Sequence, residues 1–300
     1  MNNQLDKLNL NFDENGLWVI NIAMAIVMFG IAIGITVDDF KRLFKTPRIL
    51  FTGVFSQFIL FPAVTFLFVK VLGTSPSIAL GMFMVAACPG GNISNFMTQM
   101  AKGNAALSVS MTAFATLISI FMTPLNFHFW SNLYEPTAEI LRTIEMDSFK
   151  LVKLVILILG IPLILGMSFR AWKNDLALKV AKILKPFSLL VFFALIIGAF
   201  AKNFDIFINY IHYVILIVIA HNLIGYLLGF YFSKGMKLGF KEQKTISIET
   251  GIQNAGLGLI LVFSFFNGLG GMKLLVAFWA IWDILSGILL ATYWSKKAKS

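Results

Sequence analysis

One span-length stretch constrains this chain more than any other, because it should cross a membrane and yet carries a carboxylate. Residues 245–266 are mostly apolar and have the length of about 20 residues that spans a bilayer core. Polar side chains interrupt the first half of the stretch at Glu249, Thr250, Gln253 and Asn254. Three glycines lie among or after them, Gly251, Gly256 and Gly258. A buried carboxylate at this depth is a functional candidate, although a polar, glycine-kinked helix that only packs against its neighbours is the alternative.

A second span-length stretch, residues 78–100, is interrupted in a similar way by Cys88-Pro89-Gly90-Gly91. Proline has no N–H and glycine tolerates strained dihedral angles, so a helix should break here. It should restart with Asn92 or Ser94 as its N-cap. Two interrupted spans in one chain are typical of the binding site of a transporter.

The composition indicates an integral membrane protein with one membrane domain. The chain is 58% hydrophobic and 13% charged, which is far too apolar for a soluble domain of this length. Its formal charge of +10 is spread over short loops, which favours membrane topology over nucleic-acid binding. Cys88 is the only cysteine, so no intrachain disulfide is expected. The polar, acidic first 16 residues argue against a cleavable signal peptide.

We predict nine helical spans, since long apolar stretches without alternating polarity do not fit barrel strands. They cover approximately residues 17–37, 49–73, 78–100, 105–126, 150–169, 187–202, 209–232, 245–266 and 272–294. Most of the 24 basic residues fall in alternate gaps between these spans. The positive-inside rule makes those gaps cytoplasmic. The tail 1–16 is therefore expected outside the cytoplasm, and the tail 295–300 inside it.

Two connecting segments carry expectations of their own. Segment 127–149 should hold an interfacial helix after Pro136, and segment 170–186 should be an amphipathic connector along the inner surface. Spans two to four and spans seven to nine each have a broken middle member and would run in opposite directions. This pattern predicts an inverted repeat with two broken, crossing helices.

The polar groups inside the spans predict a site for a hard cation. Only Glu249 and Asp283 contribute carboxylates there, while the neighbouring spans add hydroxyl and amide oxygens. Ser108 and Thr112 are four residues apart, so both hydroxyls lie on one helix face. Oxygen donors with a single carboxylate suit sodium. Because no catalytic or nucleotide-binding motif is present, we expect a transporter driven by an ion gradient and no enzymatic activity.

The chain contains several short motifs: Cys88-Pro89-Gly90-Gly91 with Ser94-Asn95, Lys102-Gly103-Asn104, Ala106-Leu107-Ser108-Val109, His221-Asn222, Glu249 with Gln253-Asn254, and Leu290-Ala291-Thr292-Tyr293-Trp294. Together these motifs resemble the bile acid:sodium symporter family, in its bacterial form. The resemblance implies a core domain, about 49–126 and 209–294, and a panel domain, about 17–37 and 150–202.

The resemblance also implies two sodium sites beside the broken helices. The first site would use Ser94, Asn95, Ser108, Thr112 and Glu249. The second would use Gln57, Glu249, Gln253 and the carbonyls of Thr250 and Ile252.

This chain departs from the family at Asn92, where a small hydroxyl residue is usual, and at Asp283-Ile284, where some relatives have His-Asn. Bacterial relatives with ten spans have an additional leading helix, so the first predicted span of this chain corresponds to their second. The candidate substrate residues are Asn92, Asn254, Asp283 and His221. Asp283 has three possible roles. It could be a polar packing contact between helices, it could pair with His221 or with bound sodium, or it could become protonated together with substrate binding.

Together these features predict a monomeric, sodium-coupled symporter that imports an organic anion by alternating access. The anion would be bile-acid-like, pantoate-like or a keto acid, and two sodium ions would be the coupling ions. The alternatives are a proton-coupled carrier that uses Asp283 or Glu249, and a sensor or scaffold of the same fold that transports nothing.

Overall fold

The computed structural model describes residues 22, 25–91, 93–144, 148–202, 204–266 and 269–297, and every regular element among them is helical. The expected tail 1–16 and the candidate Asn92 lie outside the described residues. An all-α fold is therefore confirmed for the described part of the chain.

Fourteen helices are labelled here in chain order. The first seven are α1 (25–32), α2 (Val37–Phe44), α3 (Pro47–Leu72), α4 (Pro76–Ala87), α5 (Ile93–Met100), α6 (Ala105–Leu133) and α7 (Glu135–Thr143). The others are α8 (Phe149–Trp172), α9 (Asn174–Lys202), α10 (Phe204–Tyr210), α11 (Ile215–Gly235), α12 (Phe240–Gly251), α13 (Ala255–Phe265) and α14 (Gly270–Lys297). A 3₁₀ turn at Ile211–Tyr213 precedes α11.

Among the described residues, five helices are long and apolar enough to cross a membrane: α3, α6, α8, α11 and α14. The two interrupted spans are each divided into two shorter helices, α4 with α5 and α12 with α13. The multi-pass character is thus confirmed, while the count of nine spans and the inverted repeat stay predictions.

The two connecting segments differ in outcome. In the segment 127–149, a short helix is present at the expected place after α6. It covers Glu135–Thr143 and has Pro136 in its first turn. The separate connector expected at 170–186 is wrong in its extent. From Asn174 onward this segment belongs to one continuous helix that reaches Lys202, with Pro186 inside it. One proline removes a single backbone hydrogen bond and need not end a helix in a packed environment.

Two helices widen into a π-helical turn, and in each case a proline follows. Ser56–Leu60 precedes Pro62 in α3, and Ile156–Gly160 precedes Pro162 in α8. A proline ring clashes with the carbonyl four residues earlier and offers no N–H, so the widened turn relieves the crowding. In α3 this turn carries Gln57.

The main hydrophobic core lies between the first broken span and the C-terminal helix. Helix α4 packs against α14 and α6, and α11 packs along α12. Trp279, Phe61, Phe127 and Phe266 are fully buried in this core. Large aromatic side chains bury a large area each, so they contribute strongly to the stability of this core.

Candidate functional site

The two helix breaks cross and hydrogen-bond to each other. Gly90 and Gln253 form an isolated antiparallel bridge. On either side of it, the Gly91 amide donates to the Ile252 carbonyl over 3.1 Å and the Asn254 amide donates to the Pro89 carbonyl over 2.8 Å. Each break therefore satisfies backbone groups that the other leaves without helical partners, as buried backbone requires. We call residues 89–91 and 252–254 the crossing.

The close approach at the crossing explains the double glycine of the first break. A Cβ atom on Gly90 would lie 2.8 Å from Oε2 of Glu249, and one on Gly91 would lie 2.7 Å from the Gln253 carbonyl oxygen. Any larger residue would push the two breaks apart. Glycine is needed here because the backbones must touch.

The observed positions of the two helix breaks agree in part with those predicted from the sequence. The first helix ends at Ala87, as the Pro-Gly-Gly motif predicts, and α5 begins at Ile93. Ser94 is therefore inside the helix and is not its N-cap. The second break follows Gly251, whereas Gly256 and Gly258 lie within α13. Helix α13 is capped by Asn254, whose Oδ1 accepts from the Leu257 amide over 3.0 Å.

Glu249 is the centre of a first oxygen cluster, which also contains Ser94, Asn95, Ser108 and Thr112. Its Oε1 accepts from the Ser94 hydroxyl over 2.6 Å and from the Ser108 hydroxyl. The Thr112 hydroxyl lies 3.0 Å from Oε2 and 3.3 Å from Oδ1 of Asn95. Three separate helices, α5, α6 and α12, bring these groups together.

The Glu249 carboxylate is buried, with 4% of the residue exposed. Neither salt bridge found among the described residues involves it. It is instead solvated by hydroxyl groups, whose oxygens can also coordinate a cation. A carboxylate, three hydroxyls and an amide oxygen form a donor set that suits a small hard cation.

A second group of predicted ligands consists of Gln57 from α3 with Thr250, Ile252 and Gln253, which follow Glu249 in the chain. We call it the second oxygen cluster. The Gln57 Nε2 donates to Oε1 of Gln253 over 2.8 Å and to the Cys88 carbonyl over 2.9 Å. The Gln253 Nε2 donates to the Thr250 carbonyl over 2.7 Å.

Gln57 also carries an unused acceptor at this cluster. Its Oε1 is buried and has no hydrogen-bond partner among the described residues. An unpaired buried oxygen is costly, and a bound cation would satisfy it. Gln57, Gln253 and the Thr250 carbonyl are therefore brought into contact, while the Ile252 carbonyl accepts from the Gly91 amide.

Asp283 stabilises the second break from the C-terminal helix. Its Oδ2 accepts from the Gln253 amide over 3.0 Å, and its Oδ1 accepts from Nδ2 of Asn222 over 3.1 Å. The same Asn222 nitrogen donates to the Gly251 carbonyl over 2.9 Å. Asp283 is thus paired with the backbone of the break.

The suggested pairing of Asp283 with His221 is wrong. His221 Nε2 lies 2.6 Å from the Thr65 hydroxyl. Its ring stacks on Phe61 and meets the edge of Trp279. The histidine points into the aromatic core because its ring is flat and packs well there, while the neighbouring Asn222 reaches the carboxylate.

A cavity of about 740 Å³ opens beside the crossing. Its polar lining comes from Asn95, Gln99, Thr112, Gln253, Asn254 and Asp283. Residues from α1 and α14, with Pro186, form much of the apolar wall. Among the candidate substrate residues, Asn254 and Asp283 line the cavity. His221 is not part of its described lining, and Asn92 lies outside the described residues.

Ser56 contributes to the site although its sequence position had not marked it as a candidate. Its hydroxyl lies 3.1 Å from that of Thr250, and it could have been noticed as a polar residue within an apolar span, next to Gln57. Asn222 was noted in the His221-Asn222 motif without a role of its own, and the structure shows that it bridges Gly251 and Asp283.

Comparison with known proteins identifies relatives over most of the chain. Residues 21–210 match the family model described as Sodium Bile acid symporter family. An uncharacterized sodium-dependent transporter of Bacillus subtilis, YocS, is 34% identical over 295 residues, which cover 97% of this chain and 88% of that protein. The probable sodium/metabolite cotransporter BASS1 of Arabidopsis thaliana chloroplasts is 29% identical over 94% of this chain and 67% of its own length.

The ileal sodium/bile acid cotransporter of the rabbit, Oryctolagus cuniculus, is 27% identical over 80% of this chain and 67% of its own length. These relatives are transporters and not enzymes. The family model matches more than half of the chain, and the alignment with the Bacillus protein extends over nearly all of it. The chain therefore belongs to the sodium bile acid symporter family and is a sodium-coupled, multi-pass membrane transporter.

Proposed function

We propose that this protein imports an organic anion together with two sodium ions by alternating access. The observation that carries the proposal is the position of the cavity beside the crossing, where both oxygen clusters lie. Thr112 of the first cluster and Gln253 of the second also line the cavity. Ions and substrate would therefore share side chains, which is the simplest physical basis for coupled binding.

The two sodium ions would occupy the two oxygen clusters. The first cluster offers a carboxylate with hydroxyl and amide oxygens, and the second offers amide and carbonyl oxygens with the unpaired Oε1 of Gln57. Glu249 is the only carboxylate in either group. One carboxylate offsets a single positive charge, so an anionic substrate would balance the second ion.

The substrate anion would be held by helix N-termini. The described lining of the cavity contains no lysine, arginine or histidine. It does contain Ile93, the first residue of α5, and Ala255, the first residue of α13. The free amides and positive dipole end of a helix N-terminus favour anions. The amide side chains of Asn95 and Asn254 would add hydrogen bonds.

Alternating access would move the core against the panel. The cavity wall combines residues of α1 and Pro186, from the predicted panel, with residues of the crossing, from the predicted core. A site between two such bodies opens to either side when one moves relative to the other. The basic gaps favour a cytoplasmic C-terminus and an external N-terminus. We propose that the monomer is the working unit.

The substrate class follows from the wall of the cavity. Apolar residues such as Met28, Ile31, Val109 and Ile284 dominate its lining. An anion with an apolar body fits that surface, and the names of the relatives mention bile acid and metabolite. Taurocholate, pantoate and pyruvate represent the three candidate classes.

Uptake by proteoliposomes tests the proposal. Purified protein is reconstituted, and uptake of each labelled anion is measured with an inward sodium gradient, with an inward proton gradient at equal sodium, and with potassium replacing sodium. We expect uptake of at least one anion that requires the sodium gradient. Uptake driven by protons alone would support a proton-coupled carrier. Binding of an anion without uptake would support a sensor or scaffold.

A further inference from the structure

A buried lysine lies at the end of α5 and α12 that is remote from the crossing. Only 2% of Lys244 is exposed. Its Nζ donates to the Ala101 carbonyl over 2.6 Å and to the Lys102 carbonyl over 2.9 Å, and it sits 5.1 Å from the ring centre of Phe240. In the sequence it is one of the basic residues in the gap before the predicted span 245–266, where it would contribute to topology.

The two carbonyls that Lys244 binds come directly after α5, which ends at Met100. Carbonyls just beyond the last turn of a helix have no partner within the helix, and they lie at the negative end of its dipole. A cation held there satisfies both carbonyls and is itself satisfied. Lys244 thus attaches the C-terminus of α5 to α12.

Asn104 connects α6 to the same end of α12. Its Oδ1 caps α6 by accepting from the Leu107 amide over 3.1 Å. Its backbone amide donates to the Thr245 hydroxyl over 2.9 Å, and its Nδ2 donates to Glu242 over 3.0 Å. One residue therefore begins α6 and binds α12 at two points. We call this group of contacts the Lys244 junction.

The helices joined at the Lys244 junction are the three that carry the first oxygen cluster. Ser94 and Asn95 lie on α5, Ser108 and Thr112 on α6, and Glu249 on α12. Glu249 is five residues from Lys244, which is about 7.5 Å along a helix. Ser108 follows Asn104 by four residues, or about 6 Å. A shift of any one helix along its axis would separate the oxygens.

Membrane topology does not explain the burial of Lys244. Lys241 lies on the same helix, is exposed, and supplies a positive charge at the same end. Burying an ammonium group is unfavourable unless it is paired. The contacts of Lys244 are therefore better explained by the helices that they join.

We propose that Lys244 and Asn104 are positioning residues for sodium binding, because the Lys244 junction fixes the register of the three helices that form the first oxygen cluster. The inference rests on the proposed function, in that this cluster is taken to bind sodium.

Sodium-dependent thermal stability of the purified full-length protein tests this inference. The midpoint of unfolding is followed as sodium replaces potassium at constant ionic strength, for wild type, Lys244→Met, Lys244→Arg and Asn104→Ser. Lys241→Met is the matched control, since it removes a positive charge from the same helix outside the junction. Asn104→Ser keeps a good N-cap but loses the bond to Glu242.

We expect Lys244→Met to raise the sodium concentration for half-maximal stabilisation by about fivefold or more, the lower end of couplings between linked sites. Lys244→Arg should restore most of the affinity, since guanidinium also donates to two carbonyls. Asn104→Ser should raise the half-maximal sodium concentration, and it decides the test if Lys244→Met does not fold. Lys241→Met should behave as wild type.

An unchanged half-maximal sodium concentration in the folded variants, with only a uniform drop in the midpoint, would overturn the inference and leave the junction a structural contact. An equal rise in Lys241→Met would also overturn it, because loss of charge alone would then be the cause. Absence of sodium-dependent stabilisation in the wild type would instead count against the proposed function, and the inference would fail with it.

Discussion

The backbone amide of Gln253 donates to Oδ2 of Asp283 over 3.0 Å, so a side chain of the C-terminal helix completes the second helix break. Gln253 uses its side chain to contact Gln57 and the Thr250 carbonyl. A hydrogen-bonded route therefore runs from the cavity wall at Asp283 to the second oxygen cluster. The Asp283 carboxylate is therefore part of the hydrogen bonding that stabilises the break.

Asp283→Asn should weaken sodium binding more than it weakens folding. The substituted amide keeps one acceptor oxygen, so either the Gln253 amide loses its partner or the Asn222 side chain keeps only the Gly251 carbonyl. A buried donor without a partner should reduce the apparent sodium affinity by roughly tenfold. The measurement is the sodium dependence of uptake at saturating substrate. Ser286→Ala is the control, because it loses contacts to Tyr226 and the Asp283 carbonyl but none to Gln253. Equal effects of the two substitutions would argue that Asp283 only packs.

Glu249→Gln should abolish sodium-dependent uptake and leave expression near normal. The substitution preserves shape but removes the only carboxylate found in either cluster, so bound sodium would lack a counter-charge in a medium of low dielectric constant. Glu249→Asp should retain partial activity, since the charge remains while the carboxylate withdraws by one methylene. Uptake and protein yield are compared in the same membranes. Wild-type sodium affinity in Glu249→Gln would contradict the assignment.

The two oxygen clusters should be separable by mutation. Gln57→Ala and Gln253→Ala should weaken one sodium site, and Ser108→Ala with Thr112→Val should weaken the other. Each substitution removes a neutral oxygen ligand and should cost about 1–3 kcal/mol. The sodium dependence of uptake should be sigmoidal in the wild type. It should be less sigmoidal in the variants of either cluster. A hyperbolic curve for the wild type would speak against two coupled ions.

Gly90→Ala should disrupt the crossing. The added Cβ would lie 2.8 Å from Oε2 of Glu249 and 3.1 Å from its carbonyl oxygen. We expect a large loss of sodium-dependent uptake, because α12 must move away from the first break. Gly198→Ala is the matched control, since its Cβ would meet nothing within 4 Å. Its uptake should equal that of wild type. Normal sodium dependence in Gly90→Ala would show that the crossing tolerates displacement.

Several parts of this site follow from local chemistry, and the sequence alone predicts them. Proline and two glycines end a helix wherever they occur in a row, so the break after Ala87 could be placed by reading the chain. Ser108 and Thr112 share a helix face because of their spacing. Glu249 could be selected as a functional candidate from the sequence alone, because it is a carboxylate within an apolar span. No knowledge of its neighbours in the fold was needed. The composition determines that the chain is a membrane protein.

Other parts depend on residues far apart in the chain, and only the tertiary structure decided them. Whether Asp283 contacts His221 or Asn222 depends on the rotation of α11, which places the imidazole among aromatic rings and the amide toward the break. The contact between the Gly91 amide and the Ile252 carbonyl depends on two broken spans that cross at their breaks. Lys244 resembles its exposed neighbour Lys241 in sequence, and it is buried because the C-terminus of α5 is packed against it. Residue type and spacing select the polar groups, whereas the packing of separate helices decides which of them become partners.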